Sequence, residues 1–112
     1  MLQCLFVYGT LGPGRPNEHV LTDIGGTWED AVVKGHLKEE GWGAGMGYPG
    51  IILDGQGEEV HGFLFCSDNL DRHWDALDAF EGEEYKRVQV TAVTKDKRAV
   101  DAHVYVLANG NA

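Results

Sequence analysis

Glu81 stands where a helical stripe would place an apolar side chain. The preceding stretch reads LDRHWDALDAF from Leu70 to Phe80. A helix turns about 100° per residue, so with Leu70 at zero, Trp74 falls at about 40°, Leu77 at about 340° and Glu81 at about 20°. A carboxylate on that face loses water, and it also sits at the negative end of the helix dipole. Both effects raise its pKa. Such a group can take a proton and return it within one turnover. Position alone leaves a second reading open, in which the helix frays and the EGEE run at residues 81–84 is an exposed acidic turn. Glu83 and Glu84, beyond the helix-stopping Gly82, are assigned to that turn. Asp71, Asp75 and Asp78 lie to the side of the stripe and are expected on a solvated face.

The second stretch is Tyr8, Gly9, Thr10 and Leu11, at the end of an apolar run and ahead of a glycine- and proline-rich turn. Successive backbone N–H groups in such a turn can form a concave nest for a carboxylate or a phosphate. The phosphate-loop reading fails, because GTLGPG has no Gly-Lys-Ser/Thr and Pro13 removes an amide. Seen alone, YGTL is as well explained by a tight turn. His19, His36, His61, His73 and His103 show no metal-ligand spacing with one another or with the cysteines, so no metal site and no cofactor are implied. Cys4 and Cys66 lie in apolar strand-like runs and are expected as buried free thiols. Ser67 is best used as a cap.

The elements that must position these groups follow from pattern and punctuation. Leu2 to Tyr8 is a nearly continuous apolar run, expected as a strand buried on both faces. Glu18 to Ile24 reads as a short helix ended by Gly25–Gly26, and a strand lies around AVVKGHL. Residues 41–50, GWGAGMGYPG, hold five glycines in ten and must be loop. That loop is either a connector or a bare backbone that something approaches closely. A short strand is expected at Ile51–Leu53 and a longer one at Glu58–Cys66, then a helix over Leu70–Phe80. Two alternating strands, Tyr85–Thr94 and Ala99–Leu107, close the chain around the turn KDKR. About six strands and two helices make an α+β domain spanning residues 1–112, with a curled or barrel-like sheet that hides its edges.

Composition bounds the partners. The chain has 112 residues, nine Lys and Arg against eighteen Asp and Glu, and a formal net charge of −9. That balance argues against nucleic acid and against an anionic membrane. No stretch approaches the roughly 18 apolar residues of a membrane span, and the start MLQCLFVYG lacks the basic region of a signal peptide. A cytoplasmic protein is expected.

FVYGTLGPGRPN, GYPGIIL and LDAFEGEEYKRVQV are unspecific singly and specific in this order. Together they resemble the gamma-glutamylcyclotransferase-like superfamily, in particular its gamma-glutamylamine cyclotransferase branch, over nearly the whole chain. The resemblance implies a small mixed β-barrel of five to six strands with two or so flanking helices. It implies release of an amine or amino acid from a small-molecule γ-glutamyl compound, the glutamyl part cyclising to 5-oxoproline. It implies Tyr8, Gly9, Thr10 and Leu11 as the γ-glutamyl-binding loop and Glu81 as general acid/base. Tyr85 and Arg87 take the places of its EGxxYxR pattern, and Tyr105 fits a late strand tyrosine. The glycine-rich segment before YPG departs from the family pattern, which leaves the leaving amine and the use of glutathione open. Oligomeric state is not encoded. Two rivals stand beside the cyclotransferase: a binding module for a small carboxylate on the same scaffold, and a γ-glutamyl hydrolase in which Glu81 activates water.

Overall fold

The computed structural model describes residues 2–8, 14, 18–38, 50–82 and 85–107. The first apolar run becomes strand β1, Gln3–Val7, and Cys4, Leu5, Phe6 and Val7 are all buried. Successive side chains of a strand point to opposite faces, so four buried residues in a row require cover on both sides. Here one face meets a barrel interior and the other meets a helical layer.

The remaining elements are the short helix α1 (His19–Thr22), then β2 (Thr27–Lys38), β3 (Gly50–Leu53) and β4 (Glu58–Ser67), the helix α2 (Trp74–Glu81), and β5 (Tyr85–Thr94) and β6 (Ala99–Leu107). The strand order is β3-β2-β4-β1-β6-β5, and β2 also pairs with β5. Five strands therefore close on themselves, and β3 is a sixth carried by β2. β1 and β6 run parallel and are paired at Leu5–His103 and Phe6–Val104. The other pairings are antiparallel. β2 is long enough for two partners on one edge: Ala31 and Val32 meet β5, and Gly35 to Lys38 carry β3. This is the α+β mixed barrel that the resemblance implies.

Alternation sorts the core into two layers. Cys4, Phe6, Ala31, Val33, Leu64 and Val104 fill the barrel, with Ile51 of β3 turned in among them. Leu5, Val7, Phe65 and Tyr105 face outward against Leu21, Leu70 and Leu77. Large residues need small ones opposite. At Gly62 a Cβ would stand 2.3 Å from the Val7 carbonyl oxygen and 2.7 Å from the Phe6 ring, so no side chain fits.

Two expectations are corrected. The helix expected over Leu70–Phe80 is broken: Leu70–Arg72 is a 3₁₀ turn, His73 has φ −118°, and α2 begins at Trp74. The apolar stripe survives the break, with Leu70 and Leu77 buried. The cysteines are not free thiols. The antiparallel register places Cys4 opposite Cys66, and they form a disulfide across 62 residues of sequence, their Cα atoms 4.1 Å apart. Spacing along the chain carries no hint of that register. Ser67 does act as a cap, though of a turn: its Oγ accepts the Asn69 N–H at 3.0 Å and donates to the Gly25 carbonyl. Residues 41–49 of the expected glycine-rich loop lie outside the described residues.

Candidate active site

Glu81 is the last residue of α2, so the helix runs through it rather than fraying before it. Leu77, one turn earlier, is buried and seats the helix on the barrel. Gly82 ends the helix with φ 83° and ψ −175°, a conformation that essentially only glycine adopts. Its N–H donates to the Asp78 carbonyl at 3.1 Å, and its own carbonyl accepts the Tyr85 N–H at 3.3 Å. The chain thus turns directly from the helix into β5. Glu81 is held partly buried at that turn, and burial alone pushes its carboxyl up to about 7. A carboxylic acid poised there exchanges its proton readily at neutral pH.

Tyr8 follows β1 and packs against the barrel core, stacked on Phe6. Its hydroxyl donates to the Tyr105 carbonyl at 2.6 Å and accepts the Ile51 N–H at 3.2 Å. One side chain therefore joins the end of β1 to β6 and to β3. Burial raises the Tyr8 pKa well above the usual phenol value, and the nearby charge of Glu81 raises it further. The hydroxyl stays protonated and committed to those two bonds. Gly9, Thr10 and Leu11, expected with Tyr8 as the substrate loop, lie outside the described residues, as do Glu83 and Glu84.

A third group stands behind the glutamate. Asp78, three residues before Glu81, accepts the Tyr105 hydroxyl at 2.7 Å, and the Arg87 guanidinium lies 3.6 Å from its other oxygen. Arg87 in turn stacks on the Trp74 ring, 4.3 Å from its centroid. The Trp74 indole N–H donates to the Gln3 side-chain oxygen. These contacts sew α2 onto the outer faces of β1, β5 and β6. Burial, more than the Asp78 hydrogen bond, raises the pKa of Tyr105, and the Glu81 charge adds a smaller contribution. Glu81 is thus electrostatically within reach of both tyrosines.

The expectation that Asp78 belongs to a solvated face is corrected by this network. Helical angle placed it beside the stripe, and its neighbour there is the late strand carrying Tyr105. Only an assembled sheet shows that. The Ile51 N–H on Tyr8 is equally invisible in sequence, since a backbone donor carries no signature. Among the described residues no cluster of His, Cys, Asp and Glu is suited to hold a metal ion.

Comparison with known proteins supports the fold. The gamma-glutamyl cyclotransferase, AIG2-like family model matches residues 5–112. A solution structure from Arabidopsis thaliana is similar at TM-score 0.79 and 25% identity, over 100% of this chain and 66% of that one. A crystal structure of YkqA from Bacillus subtilis has TM-score 0.72 and 28% identity, over 96% of this chain and 36% of that one. A crystal structure of an aig2-like protein from Mus musculus has TM-score 0.72 and 26% identity, over 96% of this chain and 78% of that one. The chain therefore spans about two thirds of the Arabidopsis relative and about one third of the Bacillus one. Among curated proteins there is no match.

Proposed function

Because the chain belongs to the gamma-glutamyl cyclotransferase, AIG2-like family, we propose that it cyclises the glutamyl part of a γ-glutamyl compound to 5-oxoproline and releases an amine or amino acid. The observation that carries this reading is Glu81: a partly buried carboxyl, raised to about 7, at the end of a helix braced against the barrel.

The reaction needs little beyond proton movement and folding of the substrate. The α-amine attacks the molecule's own γ-carbonyl, and for that it must lose the ammonium proton. Glu81 as carboxylate takes that proton and, as acid, returns it to the leaving nitrogen when the amide breaks. Intramolecular attack requires no enzyme nucleophile. Holding the chain in a near-attack geometry then supplies much of the acceleration. We assign that grip to the loop Tyr8–Leu11, whose backbone N–H groups would take the α-carboxylate. Within it the Tyr8 side chain is a positioning group, because its hydroxyl is already bonded to β6 and β3.

A γ-glutamyl amine is the substrate class we favour, on the resemblance to that branch, and the cytoplasm is the compartment we assign. The structure contributes to the latter only that no helix among the described residues is long and apolar enough to cross a membrane. Incubation with γ-glutamyl amines, γ-glutamyl dipeptides and glutathione, followed by mass spectrometry, tests the reading. Wild type should release 5-oxoproline, and Glu81→Gln should lose about 10²- to 10⁴-fold in rate while keeping its fold. Free glutamate in place of 5-oxoproline would make the protein a hydrolase. Full turnover by Glu81→Gln would remove Glu81 from the mechanism.

A further inference from the structure

The barrel wall has an opening that the proposed reaction does not use. β1 and β6 are paired at Leu5–His103 and Phe6–Val104, and the pairing does not continue to Gln3 and Cys4. The gap is a crevice of about 490 Å³, with Gln3 and Cys4 on one wall and Gln89, Val90, Asp101 and His103 on the other. Cys4, itself only 6% exposed, lines it, whereas Cys66, half-buried at the other end of the disulfide, does not. His103 shares the crevice, and among the described residues its buried Nδ1 has no hydrogen-bond partner.

The same end of β1 is tied to the helix that carries Glu81. Gln3, next to Cys4, accepts the Trp74 indole N–H at the first residue of α2. That helix end has no side-chain cap of its own, because His73 makes no capping hydrogen bond. The Gln3 contact is thus a polar anchor for it, and β1 is held to β4 at this end by the disulfide together with the ladder pairing of Gln3 with Ser67.

We propose that Cys4–Cys66 is a thiol–disulfide exchange site, entered through this crevice by low-molecular-weight thiols, and that opening it loosens α2 through Gln3 and Trp74. A thiolate attacks the Cys4 sulfur, the S–S bond breaks, and the electron pair leaves on Cys66, which is then protonated. A second small thiolate attacks the mixed disulfide and departs as the oxidised small disulfide, leaving Cys4 as thiolate. Two electrons pass from two small thiols to the protein bond. In a reducing compartment a disulfide is transient and regulatory, and this one has both an entrance and a lever.

The test uses the native wild-type protein without denaturant. It is exposed to 2-mercaptoethanol over a range of concentrations, quenched by alkylation, and mapped by mass spectrometry. Hydrogen exchange of residues 74–81 is followed in the oxidised and reduced forms. The expected result is reduction whose rate rises with thiol concentration, a mixed disulfide at Cys4 at least about tenfold more abundant than at Cys66, and exchange in α2 about tenfold faster after reduction. Gln3→Leu, with its disulfide intact, should already show the faster exchange. A rate independent of thiol concentration, equal trapping at both cysteines, or unchanged α2 exchange would each overturn the proposal. Any effect on turnover rests on the cyclotransferase reading, but none of these measurements requires activity, so the two can fail separately.

Discussion

Glu81 ties the proposed chemistry to the stability of the fold. Its carboxyl titrates at 4.5 in an unperturbed chain and at about 7 in the folded protein. Between those values the folded state holds the proton more tightly than the unfolded state. Stability from this group is therefore fully present below pH 4.5 and is lost as pH rises through 7. Above that range the buried charge costs at most about 3.5 kcal/mol, at roughly 1.4 kcal/mol per pKa unit. Glu81→Gln removes the charge, so urea unfolding should find this variant more stable than wild type at pH 8 and nearly equal to it at pH 4. Equal stability at both would mean that the carboxylate is solvated. Under the proposed cyclotransferase mechanism the same titration governs the kinetics: kcat/KM of wild type should fall on the acid side of about pH 7, not near 4.5.

At the scale of elements, the question is what keeps α2 and the end of β1 in register. Gly82 turns the chain from α2 into β5 with a backbone that side chains resist. Gly82→Ala should cost about 1–3 kcal/mol, read as a lower urea midpoint. Tyr8→Phe strips a partner from the Ile51 N–H and another from the Tyr105 carbonyl. Leaving buried groups unsatisfied costs about 1–3 kcal/mol, so this variant should lose more stability than Tyr105→Phe, whose partner Asp78 keeps Arg87 nearby. Tyr105→Phe and Asp78→Asn should instead lower kcat more than they raise KM, because they loosen the helix that aims Glu81 without touching the proposed grip on the substrate. Circular dichroism and steady-state kinetics on the same preparations would separate the two effects.

For the whole molecule, closure is uneven. β2 meets β5 only at Ala31–Thr94 and Val32–Val93, while the disulfide fastens β1 to β4 across 62 residues of sequence. On the chain-entropy account a loop of that length is worth about 4 kcal/mol. The Cys4→Ala, Cys66→Ala double variant should therefore show a markedly lower Tm under oxidising conditions and match wild type measured in excess reductant. Across the β2–β5 seam, Arg98 pairs with Glu29, and both side chains are well exposed. Exposed pairs contribute about 0–1 kcal/mol, so Arg98→Ala should barely move the same transition. Backbone closure and core filling hold the barrel, not its surface charges.

Much of this was legible in the sequence because it is local. Alternation and apolar runs predict Glu58–Cys66, Tyr85–Thr94 and Ala99–Leu107, and the strands found differ from them by at most one residue. Gly82 marks the helix end because a backbone conformation depends on its own residue. The place of Glu81 on the helix stripe, and the loss of water it implies, was readable for the same reason, although position alone left an exposed acidic turn open. Only the tertiary structure decided the partners. Cys4 meets Cys66, Asp78 meets Tyr105, and Tyr8 meets Ile51 across sequence separations of 62, 27 and 43. Those meetings depend on strand register and on closure of the barrel, which are properties of the assembled sheet. A one-residue slip of register would turn a strand's side chains, such as Cys4 on β1 or Tyr105 on β6, to the other face. The elements are written residue by residue, and the site exists only where the closed sheet brings them together.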